Sequence, residues 1–308
     1  ALRFLPRSVR VILQARWGEV TLWMIVSLGI LFRLRALLEQ RSLWLDETFL
    51  ATNLRDRNLV ELLTVPLDYG QSAPPAFLVL TWLSFTFFGP SEIGLRLTPF
   101  LFGVGTVIVA KYAVRGLFRS SVAQASFLGL VAFSPVLVYY SQELKQYSID
   151  AFAAVVAIWM LSRWGAQRGP WLFGLAGALL VQFSLASVFV LISLGFAALI
   201  QHLWAHRAIR ELGSWFKEHF LVFVMWVLGG LIHGLYLIAA GTNTENMRNW
   251  WSSVGGFPPR DEPGQLLPWL IESFEKVAWL TVGHNSVASV GVSTPSLIAP
   301  AVVLLATL

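Results

Sequence analysis

The stretch GEVTLWMIVSLGILFRLRALLEQRSLWLDET, residues 18–48, decides the fold. Residues 18–38 form an apolar run long enough to cross a hydrocarbon core as a helix, and the loop behind it carries two adjacent carboxylates, Asp46 and Glu47. Further apolar runs fall at about 74–88, 96–114, 121–140, 147–162, 171–204, 219–240 and 293–308. No segments of alternating polar and apolar residues accompany them, so the fold class is all-α, a polytopic transmembrane helical bundle rather than a barrel. Composition agrees: 56% of the 308 residues are hydrophobic and 13% charged, with a mean hydropathy of +0.67. A soluble domain of this length could not hide that much apolar surface. The N-terminus is basic, but the apolar run behind it is long and no small-residue cleavage site follows, so it reads as an anchor rather than a signal peptide. With no cysteine in the chain, disulfides, thiolate nucleophiles and cysteine-held metals are excluded.

The topology follows from two segments and the charges. Residues 171–204 are too long for one pass and predict two, joined by a tight turn near Ser184 to Ser187. Residues 74–88 are short, and charge decides where they lie. If they rest on the outer surface, the segments on the N-terminal side of the membrane hold twelve basic residues (among them Arg16, Lys111, Arg115, Arg163 and Lys217) against three acidic ones, Glu19, Glu211 and Glu218. The opposite side then holds ten basic and fourteen acidic residues. Under the positive-inside rule this puts the N-terminus in the cytoplasm and predicts eight spans with a surface helix at 74–88. The net charge of +5 is therefore a topological signal, and nucleic acid is not an expected partner.

This topology brings two acidic clusters to one face, SLWLDET (42–48) and YYSQELKQYSID (139–150). A helix beginning near Ser141 would align Glu143, Tyr147 and Asp150, and its N-terminus beside Lys145 would attract a phosphate. His202 and His206 stand four residues apart without a neighbouring carboxylate, which predicts interfacial filling rather than a metal site. His233, in mid-span, predicts an interhelical hydrogen bond, and Gly230 with Gly234 predicts close helix packing. Residues 242–264, rich in proline, glycine and polar residues, together with the amphipathic segment that follows them, predict an outer-face loop over 242–290 able to act as a lid; Trp250 and Trp251 there suit interface anchors.

Five landmarks occur in order: LWLDE (43–47), APPAFLVLTWLSFTFFG (73–89), SEIGLRLTPFLFG (91–103), KYAVRGLFR (111–119) and FSPVLVYYSQELKQY (133–147). Together they resemble the GT-C glycosyltransferases, in particular the branch holding protein O-mannosyltransferases, lipid A aminoarabinose transferases and lipopolysaccharide core transferases. The resemblance implies one transmembrane GT-C-like domain over 1–308, extended C-terminally in the family, with an outer-face catalytic loop and juxtamembrane helices over 39–95. It implies an inverting transferase that moves a sugar from a polyprenyl-phosphate donor to a lipid, glycan or protein acceptor, in a bacterial inner membrane with its site on the periplasmic face. In that reading Asp46 is the general base and Glu47 orients it or the acceptor. Arg96 and Lys145 bind the donor phosphate, Tyr147 donates a hydroxyl, and Glu143 binds sugar or positions Lys145. Arg33 and Arg35, at the outer end of the first span, help hold the head group. A divalent cation is an optional cofactor, and the expected partners are the prenyl-phosphate donor, membrane lipids and other membrane subunits. Ala73 stands where relatives commonly carry His or Lys, which motivates a second expectation: an inactive GT-C-like subunit of a larger membrane complex. A transporter would predict internal repeats and charges at midplane, and neither occurs.

Overall fold

A computed structural model describes residues 7–164, 170–206, 211–241, 244–253, 256–259 and 262–282. Its elements are α1 (Arg7–Leu38), α2 (Leu45–Asp56), α3 (Leu59–Thr64), α4 (Pro75–Phe88), α5 (Glu92–Leu117), α6 (Ser121–Phe133), α7 (Pro135–Tyr140), α8 (Tyr147–Arg163), α9 (Trp171–Phe183), α10 (Ser187–His206), α11 (Leu212–Ala239), α12 (Thr244–Ser253) and α13 (Leu266–Val282). No strand occurs among the described residues, and the chain is an all-α membrane protein. Four helices, Arg16–Leu38, Glu92–Leu117, Ser187–Ala205 and Leu212–Ala239, are each long and apolar enough to cross a bilayer. The expected passes at 121–140, 147–162 and 171–183 appear as shorter helices, and the expected span at 293–308 lies outside the described residues.

The breaks have local causes. Pro135 has no N–H, so the helix entering from α6 cannot continue through it. Ser134 caps the new start, its Oγ accepting from Leu137 N at 3.4 Å. The turn expected between two passes of 171–204 is present: α9 ends at Phe183, α10 begins at Ser187, and Ser187 N donates to Ser184 Oγ at 3.1 Å. Here Ser184 also donates to Asp150 Oδ1 at 2.5 Å, fixing the turn to the start of α8.

Helices α1 and α5 run antiparallel, with Glu19 beside Lys111 and Arg115 at one end and Arg33 beside Gly103 at the other. Helices α9 and α11 run parallel: Gly174 faces Val222 and Met225, and Gly229 faces Ala178. The close approach was expected at Gly230 and Gly234, yet both have open space where a Cβ would stand. The true contact is one residue earlier, at Gly229, because that glycine lies on the face turned to α9. His233, expected to bond between helices, is buried on α11 with its Nδ1 lacking a hydrogen-bond partner.

Helix α4 is among the shorter apolar helices. Tyr236, at the end of α11, donates to Ala73 O before it at 3.1 Å. Ser84 near its end donates to Gly94 O in the first turn of α5 at 2.6 Å. Both flanks of α4 thus meet the same end of the bundle, where Phe77, Leu78 and Leu95 pack with Leu50, Leu54 and Leu144 in one buried cluster.

Candidate functional site

At that end the two acidic clusters meet. Glu47, in the first turn of α2, is completely buried. Its Oε1 accepts from Arg96 Nε at 3.0 Å and from Leu144 N at 2.8 Å. The other oxygen, Oε2, accepts from Arg96 Nη2 and from Trp44 N, each at 2.9 Å. One carboxylate therefore fastens four things: the start of α2, the first turns of α5, the loop before α2 and the loop before α8. Burial alone would raise its pKa, but the hydrogen bonds from Arg96, Trp44 and Leu144 reverse the shift and hold it below the ordinary glutamate value.

Arg96 is buried as well, and its third nitrogen, Nη1, donates to the carbonyl of Arg41 at 2.6 Å. Arg96 was expected to bind phosphate; in this structure each of its three guanidinium nitrogens has a partner within the fold. Arg33 is likewise placed inside the fold, with its Nε buried and without a hydrogen-bond partner. It is fully buried and donates to Ala132 O at 2.7 Å and Val131 O at 3.2 Å. Those are the carbonyls that Pro135 and the break at Ser134 leave without helical donors, so Arg33 bridges the break between α6 and α7.

The residues left with spare capacity surround this fastening. Asp46 is about half exposed (52%) and its Oδ2 stands 3.6 Å from Lys145 Nζ. Lys145 is buried and donates to Gln71 Oε1 at 2.6 Å, bringing the loop before α4 into the cluster. Glu143 is buried, and its Oε2 has no hydrogen-bond partner. Burial first, and then the charge of Glu47, push the Glu143 carboxyl up to about 6 against the pull of Arg41 and Lys145. Tyr147 opens α8, with its ring 4.9 Å from that of Tyr140.

The helix expected from Ser141 begins instead at Tyr147. Glu47 takes the amide of Leu144, and local turns such as Lys145 N to Glu143 O at 2.6 Å use the rest of the loop. Glu143 and Lys145 thus project from a turn and do not share a helix face with Asp150. Arg35 is brought to a different place: it is exposed on α1, paired with Glu39 at 3.1 Å.

Sequence reasoning missed Arg41. Its Nη2 stands 3.5 Å from Glu47 Oε2, its Nη1 donates to Tyr139 Oη at 3.1 Å, and its guanidinium carbon lies 4.4 Å from the centre of the Tyr139 ring. The signal was present, since Arg41 sits one residue before SLWLDET, but an arginine just beyond a span reads equally well as a lipid anchor.

A divalent cation does not fit this donor set. Glu47 is fully engaged by Arg96, and the ammonium of Lys145 stands beside Asp46. Among the described residues no three metal-ligating side chains converge. In the loop over 242–290, α13 packs against α7, at the same end of the bundle as the site. The side chain of Trp250 lies outside the described residues, and Trp251 is about half exposed (47%).

Comparison with known proteins places this geometry. The family model for dolichyl-phosphate-mannose-protein mannosyltransferases matches residues 72–233, more than half of the chain. The match includes α4, Arg96 and the 139–147 loop and begins after the Asp46–Glu47 pair. No curated protein and no solved structure matches significantly. An all-α membrane bundle with a charged cluster at one end, whose central stretch fits that model, belongs to the dolichyl-phosphate-mannose-protein mannosyltransferase family and so to the GT-C superfamily of membrane glycosyltransferases.

Proposed function

We propose that the chain is an inverting glycosyltransferase that takes its sugar from a polyprenyl phosphate and works on the extracytoplasmic face of the membrane, over a catalytic loop spanning 39–95. The observation that carries this reading is the division of labour within the acidic pair. Glu47 is buried and saturated, whereas its neighbour Asp46 is half open beside the ammonium of Lys145. Attack by an acceptor hydroxyl on the anomeric carbon forms the new C–O bond and breaks the bond to the donor phosphate. The hydroxyl proton goes to Asp46, and the leaving phosphate keeps the electron pair. Lys145 offers that phosphate a charge-assisted contact, and inversion follows because one displacement occurs. Glu47 acts through position, holding the α2 start so that Asp46 faces out. Glu143 and Tyr147, in the same loop and first turn as Lys145, suit contacts to the sugar. The acceptor is a membrane-borne lipid, glycan or protein, and the bacterial inner membrane is the setting proposed from the family branch that the sequence resembles.

The test is transfer from prenyl-phosphate sugars by purified protein in nanodiscs, wild type against Asp46→Asn. The variant keeps the shape and loses the base, so turnover should fall by about 10²- to 10⁴-fold while folding and donor binding persist. Equal turnover in the two would sink the role of Asp46. A wild type that transfers nothing, yet copurifies in a stable complex, would favour the inactive-subunit reading.

A further inference from the structure

The loop between α3 and α4 is held from two sides. On one side stands α2. Arg57, just past the end of that helix, donates to the carbonyls of Val65 and Pro66 at 3.3 and 2.8 Å and pairs with Asp68 at 2.7 Å. Buried Asn53 accepts from Asp68 N at 2.9 Å, and the ring of Phe49 stacks on that of Tyr69 with centres 4.6 Å apart. Tyr69 has a φ of +60°, a strained setting for a residue with a side chain, which persists only where the surroundings impose it.

On the other side both ends of the loop meet α11. Tyr236 donates to Ala73 O at 3.1 Å. Gly241, with a φ of +59°, lies so close to Pro66 that a Cβ on it would stand 2.9 Å from the proline ring. Between these two contacts the loop arches over a cavity of about 40 Å³.

From this frame Gln71 reaches into the site, its Oε1 accepting from Lys145 Nζ at 2.6 Å. Among the described residues that is the hydrogen bond the ammonium makes, since Asp46 Oδ2 at 3.6 Å is too far for one. A lysine carries its charge on a flexible four-carbon stem and needs such a tether to present it at a fixed place. The kind of tether matters as well. An amide oxygen holds the ammonium and leaves its positive charge whole, whereas a carboxylate at the same place would neutralise it before any phosphate arrived.

We propose that Gln71 is a positioning residue, holding the Lys145 ammonium for phosphate without cancelling its charge, and that Tyr236 acts behind it by fixing the loop through Ala73. This rests on Lys145 as the phosphate contact proposed above and adds what places it.

The experiment uses purified protein in nanodiscs and measures farnesyl phosphate binding and, separately, transfer from prenyl-phosphate sugars. The variants are Gln71→Met, Gln71→Glu and Tyr236→Phe, with Gln71→Met and Tyr236→Phe also combined with Lys145→Met. Gln71→Met keeps the length and removes the acceptor, so both readouts should fall by on the order of tenfold at the wild-type thermal midpoint. Gln71→Glu keeps the tether and cancels the charge, and should weaken farnesyl phosphate at least as much. A residue that served packing alone would accept either change. Tyr236→Phe should cost less, about threefold. In the Lys145→Met background Gln71→Met and Tyr236→Phe should have no further effect, because both act through the ammonium. Losses that persist unchanged in that background, or wild-type behaviour of Gln71→Met, would overturn the inference. The two readings separate. Binding losses that vanish with Lys145, without transfer from any prenyl-phosphate sugar, keep the role of Gln71 and remove the proposed reaction. Transfer with losses independent of Lys145 does the reverse, and a wild type that neither binds nor transfers overturns both.

Discussion

Helix α5 is fastened by a carboxylate at each end, and the two fastenings differ in what surrounds them. At one end Glu47 holds Arg96, both buried. At the other Glu19 holds Lys111 at 2.8 Å and also pairs with Arg115, while Lys111 Nζ sits 3.8 Å from the centre of the Trp23 ring and 4.7 Å from that of Tyr112. At the Glu19 end, aromatic faces and a carboxylate meet the buried ammonium. Around Glu47, by contrast, Asp46 is open, Glu143 has an oxygen without a partner and Arg41 has two such nitrogens. A buried ion pair by itself therefore marks no site in this molecule. What sets the Glu47 end apart is the group of unmet polar atoms beside a saturated carboxylate.

The sharpest way to break that comparison is to cut the Glu47 fastening. Glu47→Gln removes one partner of a buried pair and leaves Arg96 charged in the interior, a change that typically costs about 3 to 5 kcal/mol. The expected outcome is a large fall in thermal midpoint and in yield of monodisperse protein, measured in detergent against Asp46→Asn, which should match wild type. If Glu47→Gln folds as stably as wild type but loses transfer, Glu47 takes part in the chemistry and the division between the two carboxylates is wrong.

Much of this was legible in the chain. Apolar runs located α1 and α4 to α11, while α2, whose Leu50 and Leu54 join the buried cluster, lies outside them; over 74–88, where the charge count predicts a surface helix, α4 has both flanks at one end of the bundle. Ser184 and Ser187 marked their turn because a 34-residue apolar run has to fold back. What escaped were three-dimensional pairings. Nothing local says that Arg96 turns inward to a glutamate 49 positions away, or that Arg33 serves carbonyls freed by Pro135 on another helix. Both arginines look like lipid anchors or phosphate ligands until their partners are known. The helix expected from Ser141 failed for the same reason, since a distant carboxylate claimed the amide of Leu144.

A smaller effect sharpens the contrast from the side of the unmet groups. Glu143 has its pKa raised to about 6, from an ordinary value of 4.5, by burial and by the charge of Glu47. The fold thus favours the protonated form. Its ionisation starts to destabilise the folded state as pH rises above about 4.5, and the cost is complete above about 6, where it reaches about 2 kcal/mol. Glu143→Gln should accordingly raise the thermal midpoint at pH 8 and leave it unchanged near pH 4.5. An equal difference from wild type at both pH values would mean that the residue acts through packing alone.

The smallest effect belongs to the Glu19 end. Glu19 is partly exposed, and Glu19→Gln leaves an amide oxygen to accept from Lys111 while the Trp23 and Tyr112 rings remain beside the ammonium. What is lost is one charge in a partly solvated pair, worth on the order of 1 kcal/mol or less. The thermal midpoint should drop slightly, and turnover per folded molecule should stay at the wild-type level, because Lys111 and Arg115 lie at the opposite end of α5 from Arg96 and the Asp46–Lys145 pair. Transfer assays normalised to monodisperse protein decide it. Should Glu19→Gln lower turnover as far as Asp46→Asn does, the two ends of α5 are functionally coupled, and the unmet groups around Glu47 lose their standing as the feature that separates a site from a fastening.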